Sequence, residues 1–204
     1  ARAASPPYGA MSLPPLSAIC EEGAQAPPLA EVIERLGFGA AQLRAGLLGG
    51  GMWCACGAQM LLISTVTGAI SEELGLEAWQ RGSLVSVVFV GIFAGNAIGG
   101  PLGDGYGRRL PLLLAYAGIA GFSALSALAD SYASLCGVRL LVGVIIGLGQ
   151  PAFNALLTEV CPTYWRILMQ GCCQSLFMVG EIFSVLLIWS DDPYIRHSNW
   201  RWLL

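Results

Sequence analysis

The sequence predicts an all-α membrane protein with about five transmembrane helices and the start of a sixth. Hydrophobic residues make up 55% of its 204 residues and charged residues only 11%, whereas a soluble domain carries roughly 25% charged residues. Five apolar runs are each long enough to cross the hydrocarbon core of a bilayer, which takes about 20 residues of helix. The lipid bilayer is therefore the first expected partner of the chain.

The first 28 residues do not resemble a membrane segment. Residues 1–28 are rich in Pro and Ala, and they lack the charged region and apolar core of an ordinary secretory signal. We expect a disordered or processed tail. The chain starts with Ala and stops at Leu204 inside a fresh apolar run, so both ends look cut from a longer product.

Residues 29–43 are predicted to form an amphipathic segment at the membrane surface. The apolar side chains of Val32, Ile33 and Leu36 share one helical face, and Gly37 is a natural stop. The charged residues Glu31, Glu34 and Arg35 lie largely on the other face. We expect an interfacial helix here.

Residues 44–204 are predicted to form an incomplete N-terminal transmembrane bundle. The spans are expected at about 45–70, 84–103, 110–128, 133–158 and 167–189, with a sixth starting at about 200. The first three have no charged residue, the fourth contains only Arg139, and the fifth contains only Glu181.

Arginine placement predicts the orientation, because loops on the cytoplasmic side are enriched in basic residues. With the N-terminus inside, that side carries Arg35, Arg44, Arg108, Arg109 and Arg166, against Arg81 and Arg196 outside. Five against two predicts a multi-pass protein with a cytoplasmic N-terminus.

Small residues mark the predicted helix contacts, because helices in lipid associate through close backbone approach. The second span has four glycines at strict i+4 spacing: Gly91, Gly95, Gly99 and Gly103. On the fourth span, Gly143 and Gly147 share one face with Arg139, Gln150 and Asn154. We expect a packing seam on the second span and a cavity lined by the polar face of the fourth.

The polar residues of the spans allow more than one interpretation. Arg139 either lines the cavity or extends its guanidinium to the membrane interface. Glu181, on the same helix as Gln170 and Gln174, either binds a proton or solute or pairs with a group on another helix. Gln59 either contacts the solute or bonds a neighbouring helix.

Several other functions find no support in the residues. The seven cysteines are odd in number and fall mostly in apolar runs, which argues against a disulfide framework. Cys54 and Cys56 lack the further ligands that a metal needs, as do Cys172 and Cys173. A net charge of −3 without a basic patch argues against nucleic acid. We expect no enzyme, no metal and no cofactor.

Three motifs, in order, resemble the major facilitator superfamily of transporters. The turn Gly100-x-Leu102-x-Asp104-x-x-Gly107-Arg108-Arg109 is similar to its signature loop between helices two and three. Arg139-x-x-x-Gly143-x-x-x-Gly147 is similar to its fourth-helix motif, and Glu159-x-x-Pro162-x-x-x-Arg166 to the loop that follows. Gly37-Phe38-Gly39-x-x-Gln42, Ser86-Val-Val-Phe-Val-Gly91 and Trp200-Arg-Trp-Leu-Leu204 most resemble the branch of synaptic-vesicle-protein-related transporters and organic-ion or metabolite symporters.

The resemblance implies the N-terminal half of a twelve-helix carrier, in which two bundles alternate around a solute site. It also implies a latch on the cytoplasmic side, in which Asp104 faces a helix N-terminus of the missing C-terminal bundle. Arg108 and Arg109 would pair with Glu159, and Glu159 with Arg166. The alternative is that the two arginines only enforce topology.

One departure from the resemblance bears on energy coupling. Many relatives carry acidic residues in the middle of the first helix, where this chain has Cys56 and Gln59. We therefore expect secondary active or facilitative transport of a small organic solute (an organic ion, a sugar-like compound or a carboxylate metabolite), with proton coupling disfavoured. The alternative is a non-transporting membrane subunit, or a truncated paralogue, that packs against other membrane subunits.

Overall fold

The computed structural model describes residues 29–191 and residue 203, and every regular element in them is a helix. The helices are α1 (Leu29–Leu36), α2 (Ala40–Leu74), α3 (Ala78–Tyr106), α4 (Arg109–Ala127), α5 (Tyr132–Val160) and α6 (Thr163–Asp191). Helices α2 to α6 are long and apolar enough to cross a membrane. The predicted fold class, an all-α membrane protein with five spanning helices, is confirmed. The tail 1–28 and the start of the sixth span at about 200 lie outside the described residues, apart from Leu203.

The interfacial segment predicted at 29–43 differs from the structure, in which two helices share it. Helix α1 ends at Leu36, and Gly37 has a φ of 67°, a left-handed conformation that a residue with a Cβ adopts only at a cost. Helix α2 then begins at Ala40, where the Gly39 backbone N–H donates to the Gln42 side chain at 3.0 Å. The glycine therefore ends the surface helix three residues before the first membrane helix.

Most of the spanning helices extend beyond the predicted apolar runs. Helix α2 has 35 residues and helix α4 has 19, so at 1.5 Å per residue they are about 52 Å and about 28 Å long. A hydrocarbon core is about 30 Å thick. Helix α4 is thus about as long as the core is thick, whereas α2 is longer than the core by about 20 Å.

Helix α5 is the centre of the bundle. It packs along α3 on one side and α4 on the other and also contacts α2 and α6, while α2 packs along α6. Arg139, Phe153 and Leu157 of this helix are almost completely buried. Helix α5 is therefore the element against which the others are positioned.

Glycines let α3 and α5 approach backbone to backbone. A Cβ added to Gly91, Gly95 or Gly99 would collide with the carbonyl oxygens of Leu140, Val144 and Leu148 respectively. From the other side, a Cβ at Gly143 or Gly147 would collide with the carbonyl oxygens of Val88 and Ile92. Gly103 continues the i+4 spacing but differs in its neighbour, because its Cβ would first meet Arg108 Nη1 at 3.1 Å.

A second close contact joins α2 to α6. A Cβ at Gly57 would collide with the Phe177 carbonyl oxygen, and one at Gly180 with the Cys54 carbonyl oxygen. Neither glycine belongs to an i+4 series, so the spacing rule that indicated the α3–α5 seam does not single them out. Glycines therefore allow close contact in two separate helix pairs, α3 with α5 and α2 with α6.

Apolar clusters fill the two ends of the bundle. At the end where α2 meets α3, the cluster includes Leu62, Ile70, Leu84, Leu135 and Leu203. At the opposite end it includes Met52, Leu112, Phe153, Leu157 and Met169. This second end, which carries α1, the α3–α4 turn and the α5–α6 turn, is called the Arg-rich end below.

Candidate functional site

An ion cluster joins the α3–α4 turn to the end of α5. Arg108 Nη1 lies 2.7 Å from Asp104 Oδ1, and Arg108 Nε donates to Glu159 Oε1 at 3.1 Å. Gly107 turns the chain between the helices with a φ of 85°, so the position favours glycine. Arg108 bridges two carboxylates that are far apart in the sequence.

The bridge is accessible to water. The side chains of Asp104 and Glu159 are 69% and 52% exposed, and that of Arg108 is 23% exposed. Glu159, and secondly Asp104, raise the pKa of the Arg108 guanidinium above its ordinary value. Because exposed ion pairs contribute only about 0 to 1 kcal/mol, the cluster suits a contact that is broken and remade.

Two other basic residues of the expected latch lie elsewhere. Arg109 begins α4 and lines an apolar groove with Arg44 and Tyr116. Arg166 Nη2 donates to the Cys161 carbonyl oxygen at 3.5 Å, a bond at the limit of length. Among the described residues, the ion-pair partner of Glu159 is Arg108, and neither of these two arginines pairs with it. Gly100 lies within α3, and a Cβ there would meet nothing within 4 Å.

The short helix α1 is bonded to the first turn of α6. Glu34 Oε1 accepts a hydrogen bond from the Thr163 backbone N–H at 2.7 Å and a second from the Thr163 hydroxyl. These two bonds, and secondarily the charge of Arg166, lower the pKa of Glu34. A carboxylate at a helix N-terminus also complements the helix dipole. Glu34 therefore caps α6 from another helix.

Two further contacts support this attachment. The rings of Phe38 and Trp165 lie with centroids 5.3 Å apart. Gln42 Nε2 donates to the Val160 carbonyl oxygen at 3.3 Å, at the end of α5. The segment from Glu34 to Gln42 thus holds the α5–α6 turn, next to Glu159.

Arg139 and Gln59 meet inside the bundle. Arg139 is 1% exposed, and its Nη1 donates to Gln59 Oε1 at 3.0 Å. Its Nε and Nη2 atoms are buried and have no hydrogen-bond partner in the described part of the chain. The guanidinium does not extend to the membrane interface, as one of the sequence interpretations had it, and its partner is an uncharged amide.

Gln150 lies between α3 and α2. Asn96 Nδ2 donates to Gln150 Oε1 at 3.4 Å, and the Gln150 side chain also bonds the buried Cys56 thiol. Gln150 is therefore engaged by neighbouring helices.

A polar groove separates α5 from α6 near the Arg-rich end. Gln170 Nε2 donates to Asn154 Oδ1 at 2.7 Å across it. The groove has a volume of about 430 Å³, and its wall includes Asn154, Thr158, Arg166, Gln170 and Gln174. The structure thus brings together two of the predicted cavity residues, Asn154 and Gln174, with Arg166 from the predicted latch.

Glu181 lies farther along the same helix. It is half-buried in a cavity of about 370 Å³, beside Leu61, Met178 and Val185. Gln170, Gln174 and Glu181 are four and seven residues apart, so they share one face of α6. This face joins the polar groove to the Glu181 cavity.

Comparison with known proteins decides the family. Residues 54–204 match the family described as "Sugar (and other) transporter". The chain belongs to this family of the major facilitator superfamily. It is 33% identical to the Synaptic vesicle 2-related protein of Xenopus laevis over 174 residues, which are 85% of this chain and 31% of that protein.

Two other relatives match a similar length of this chain. It is 32% identical to Organic cation/carnitine transporter 7 of Arabidopsis thaliana over 176 residues and 30% identical to Putative transporter SVOPL of Homo sapiens over 174. Each match covers 85% of this chain, and 34% and 35% of those proteins respectively. The chain thus spans about a third of the curated relatives it matches.

The attachment of α1 to α6 was not predicted from the sequence. Glu34 was expected only on the polar face of a surface helix, and Thr163 was not singled out. A carboxylate that caps a distant helix leaves no local spacing signal, because its partner is 129 residues away. Two motifs of the resemblance adjoin this contact, because one contains Phe38 and Gln42 and the other runs from Glu159 through Pro162 to Arg166, but neither indicates that Glu34 binds Thr163.

Proposed function

We propose that the protein containing this chain carries a small organic solute across a membrane by alternating access. The observation that supports this most is the polar face of α6 from Gln170 to Glu181, which continues into the groove beside Asn154. Polar side chains at membrane depth normally face water or protein, because lipid cannot satisfy them. We infer that this face lines the solute path and meets a second bundle.

The ion cluster is proposed as the gate at the Arg-rich end. Arg108 holds the α3–α4 turn to the end of α5, while Asp104, although paired with Arg108, is exposed enough to meet the second bundle as well. Because the cluster contributes little to stability, its making and breaking can bias the two states of a carrier. Arg108 and Arg109 would in addition help to set the orientation of the protein in the membrane.

We further propose that the N-terminus is cytoplasmic. Arg44, Arg108, Arg109 and Arg166 all belong to the Arg-rich end, whereas Arg81 lies near the start of α3 at the other end. This distribution follows the positive-inside rule. The proposed gate and α1 would then be cytoplasmic.

The Arg139–Gln59 pair is proposed not to couple transport to protons. A carboxylate beside Arg139 could exchange a proton during the cycle, but the amide of Gln59 cannot. Gln59→Glu is therefore expected to introduce a pH dependence that the parent protein lacks. Among the relatives, one is named for organic cations and carnitine, and that name supports small organic solutes as the substrate class.

The test is uptake by the full-length protein in proteoliposomes. Tetraethylammonium, carnitine, benzoate and glucose are offered in turn, and saturable uptake of at least one is expected. Gln174→Leu should lower this uptake at least about tenfold, because it removes a polar contact from the path. Ser175→Ala is the matched control, since the one partner of the Ser175 hydroxyl in the described part of the chain is the Gly171 carbonyl oxygen of its own helix.

Two results would contradict the proposal. Folded protein that takes up none of the four solutes would favour the alternative of a non-transporting membrane subunit. Uptake that is unaffected by Gln174→Leu would remove the α6 face from the solute path.

A further inference from the structure

A side chain of α4 bonds the backbone of α2. The Tyr116 hydroxyl donates to the Leu48 carbonyl oxygen, and the Met52 backbone also bonds this hydroxyl. Leu48 and Met52 are four residues apart, so within a helix the carbonyl of the first is the ordinary acceptor for the N–H of the second. Tyr116 therefore bonds both ends of one backbone hydrogen bond of α2.

A second side chain bonds the same part of α2 from another helix. Cys173 of α6 donates from Sγ to the Gly46 carbonyl oxygen at 3.3 Å. Side chains that insert into the backbone hydrogen bonds of a helix are among the usual causes of helix bending. Residues 46–52, called the hinge segment below, thus receive such bonds from both α4 and α6.

The composition of the hinge segment makes its helix intrinsically weak. Glycine is the weakest helix former after proline, because its backbone loses the most freedom on folding. The rest of the 35-residue helix contains only Gly57 and Gly68, whereas the hinge segment contains Gly46, Gly49, Gly50 and Gly51. The segment is therefore helical through its neighbours more than through its own sequence.

Close packing explains only part of this composition. A Cβ at Gly49 would collide with the Phe153 ring of α5, and one at Gly50 with the Leu176 side chain of α6. A Cβ at Gly51, by contrast, would meet the Tyr116 hydroxyl oxygen at 2.9 Å and the nearest ring carbon at 3.8 Å. The close contact between α4 and the hinge segment is thus made by the hydroxyl.

The hinge segment lies between two parts of α2 that are attached to different structures. On one side, Gln42 bonds the Val160 carbonyl oxygen at the α5–α6 turn. On the other side, Gln59 is bonded by the buried Arg139 inside the bundle. Helices α2 and α4 otherwise contact each other little, so the Tyr116 bond is a main connection between them.

We propose that α2 bends at the hinge segment, and that the Tyr116 hydroxyl of α4 holds this segment in the continuous helix of the structure. Release of the hydroxyl lets residues 40–45, together with α1, tilt relative to the part of α2 that Gln59 anchors. The Arg-rich end then moves without a rigid-body turn of the whole bundle. This inference concerns the fold and does not depend on the proposed transport function.

Hydrogen exchange of the full-length protein in lipid nanodiscs, followed by mass spectrometry of peptides that cover residues 46–54, tests the hinge. Bending opens backbone hydrogen bonds locally and exposes their amides to exchange. Tyr116→Phe removes the hydroxyl and keeps the ring, so exchange in the hinge segment should become at least about threefold faster. Exchange in residues 60–74 of the same helix should stay at the parent rate.

A second substitution separates a hinge from a simple loss of packing. Gly51→Ala should return the exchange of the Tyr116→Phe protein to the parent rate, because alanine strengthens the helix. Without the hydroxyl, the new Cβ meets the ring only at ordinary distances of 3.8 Å and 4.0 Å. Gly68→Ala is the matched control, because it adds the same methyl group to α2 where nothing lies within 4 Å, and it should leave the fast exchange unchanged.

Parent-like exchange in the Tyr116→Phe protein would overturn the inference. So would faster exchange that is spread evenly along α2, or that Gly68→Ala reverses as well as Gly51→Ala does. Should Tyr116→Phe not fold, Cys173→Ala and Cys173→Ser make the same comparison, because only the alanine variant loses the donor to the Gly46 carbonyl oxygen. The alanine variant should then exchange faster in the hinge segment than the serine variant, and equal rates would overturn the inference.

Discussion

Arg139 is a charged residue buried among apolar helices, and its side-chain partner among the described residues is neutral. Removing a guanidinium from water is costly unless its donors are bonded, and here the Gln59 oxygen satisfies only Nη1. The pair joins α2 to α5, the central helix of the bundle. The contribution of Arg139 to the stability of the fold therefore depends on the side-chain amide of Gln59.

We expect Gln59→Leu to destabilise the full-length protein by about 1 to 3 kcal/mol, because the last partner of a buried donor is lost. Thermal unfolding in detergent measures this change. Gln59→Glu is the matched comparison and should unfold at or above the parent temperature at neutral pH, because a carboxylate supplies both an acceptor and a counter-charge. An unchanged unfolding temperature for Gln59→Leu would mean that other groups satisfy Arg139.

At the scale of elements, the glycine seam requires α3 and α5 to touch along their backbones. We expect Gly147→Ala to destabilise the protein by about 1 to 3 kcal/mol, because the new Cβ collides with the Ile92 carbonyl oxygen, which cannot move without shifting the helix. Gly121→Ala is the control, since a Cβ at Gly121 meets nothing within 4 Å and alanine favours a helix. Equal losses in the two variants, measured by thermal unfolding, would contradict the seam.

The attachment of α1 should depend on pH. Because the folded-state pKa of Glu34 is lowered below its ordinary value of about 4.3, the ionised carboxylate stabilises attachment above that value, and this contribution is lost as pH falls through the lowered pKa. Trp165, whose ring contacts Phe38, reports detachment by fluorescence in a protein with the other tryptophans replaced. Glu34→Gln should remove the transition, and a transition that persists in this variant would assign it to another group.

The elements were far easier to predict from the sequence than their contacts. Five long apolar runs, with at most one charged residue each, are enough to indicate spanning helices, and the i+4 glycines of α3 point to a seam because one helix carries the whole signal. The contacts of Gly57 and Gly180 leave no such periodic signal, because each depends on a single position of two different helices. Likewise, the choice of Arg108 over Arg166 as the partner of Glu159 depends on where two turns lie in space.

At the scale of the whole molecule, the ion cluster and α1 converge on the α5–α6 turn. Glu159 at the end of α5 is held by Arg108 from the α3–α4 turn, and Thr163 at the start of α6 is held by Glu34 from α1. We therefore expect a movement of the α3–α4 turn, or of α1, to be transmitted to the α5–α6 turn. In a carrier with two bundles, this end of the molecule would respond as one unit when the gate opens.

The last prediction tests the proposed gate with Glu159→Gln in the full-length protein. Losing the pair with Arg108 should shift the balance of inward-open and outward-open states by up to about fivefold, because an exposed ion pair contributes up to about 1 kcal/mol. Labelling of a Gly171→Cys thiol on the wall of the polar groove between α5 and α6, in a Cys172→Ser background and by a membrane-impermeant maleimide added to the side of the Arg-rich end, measures the shift as a faster rate. Glu72→Gln, an exposed acid near the other end of α2, is the control and should label like the parent. A Glu159→Gln protein that labels at the parent rate would show that the Arg108 bridge, although formed, does not bias the transport cycle, and the gate would then depend on contacts that Asp104 makes with the second bundle.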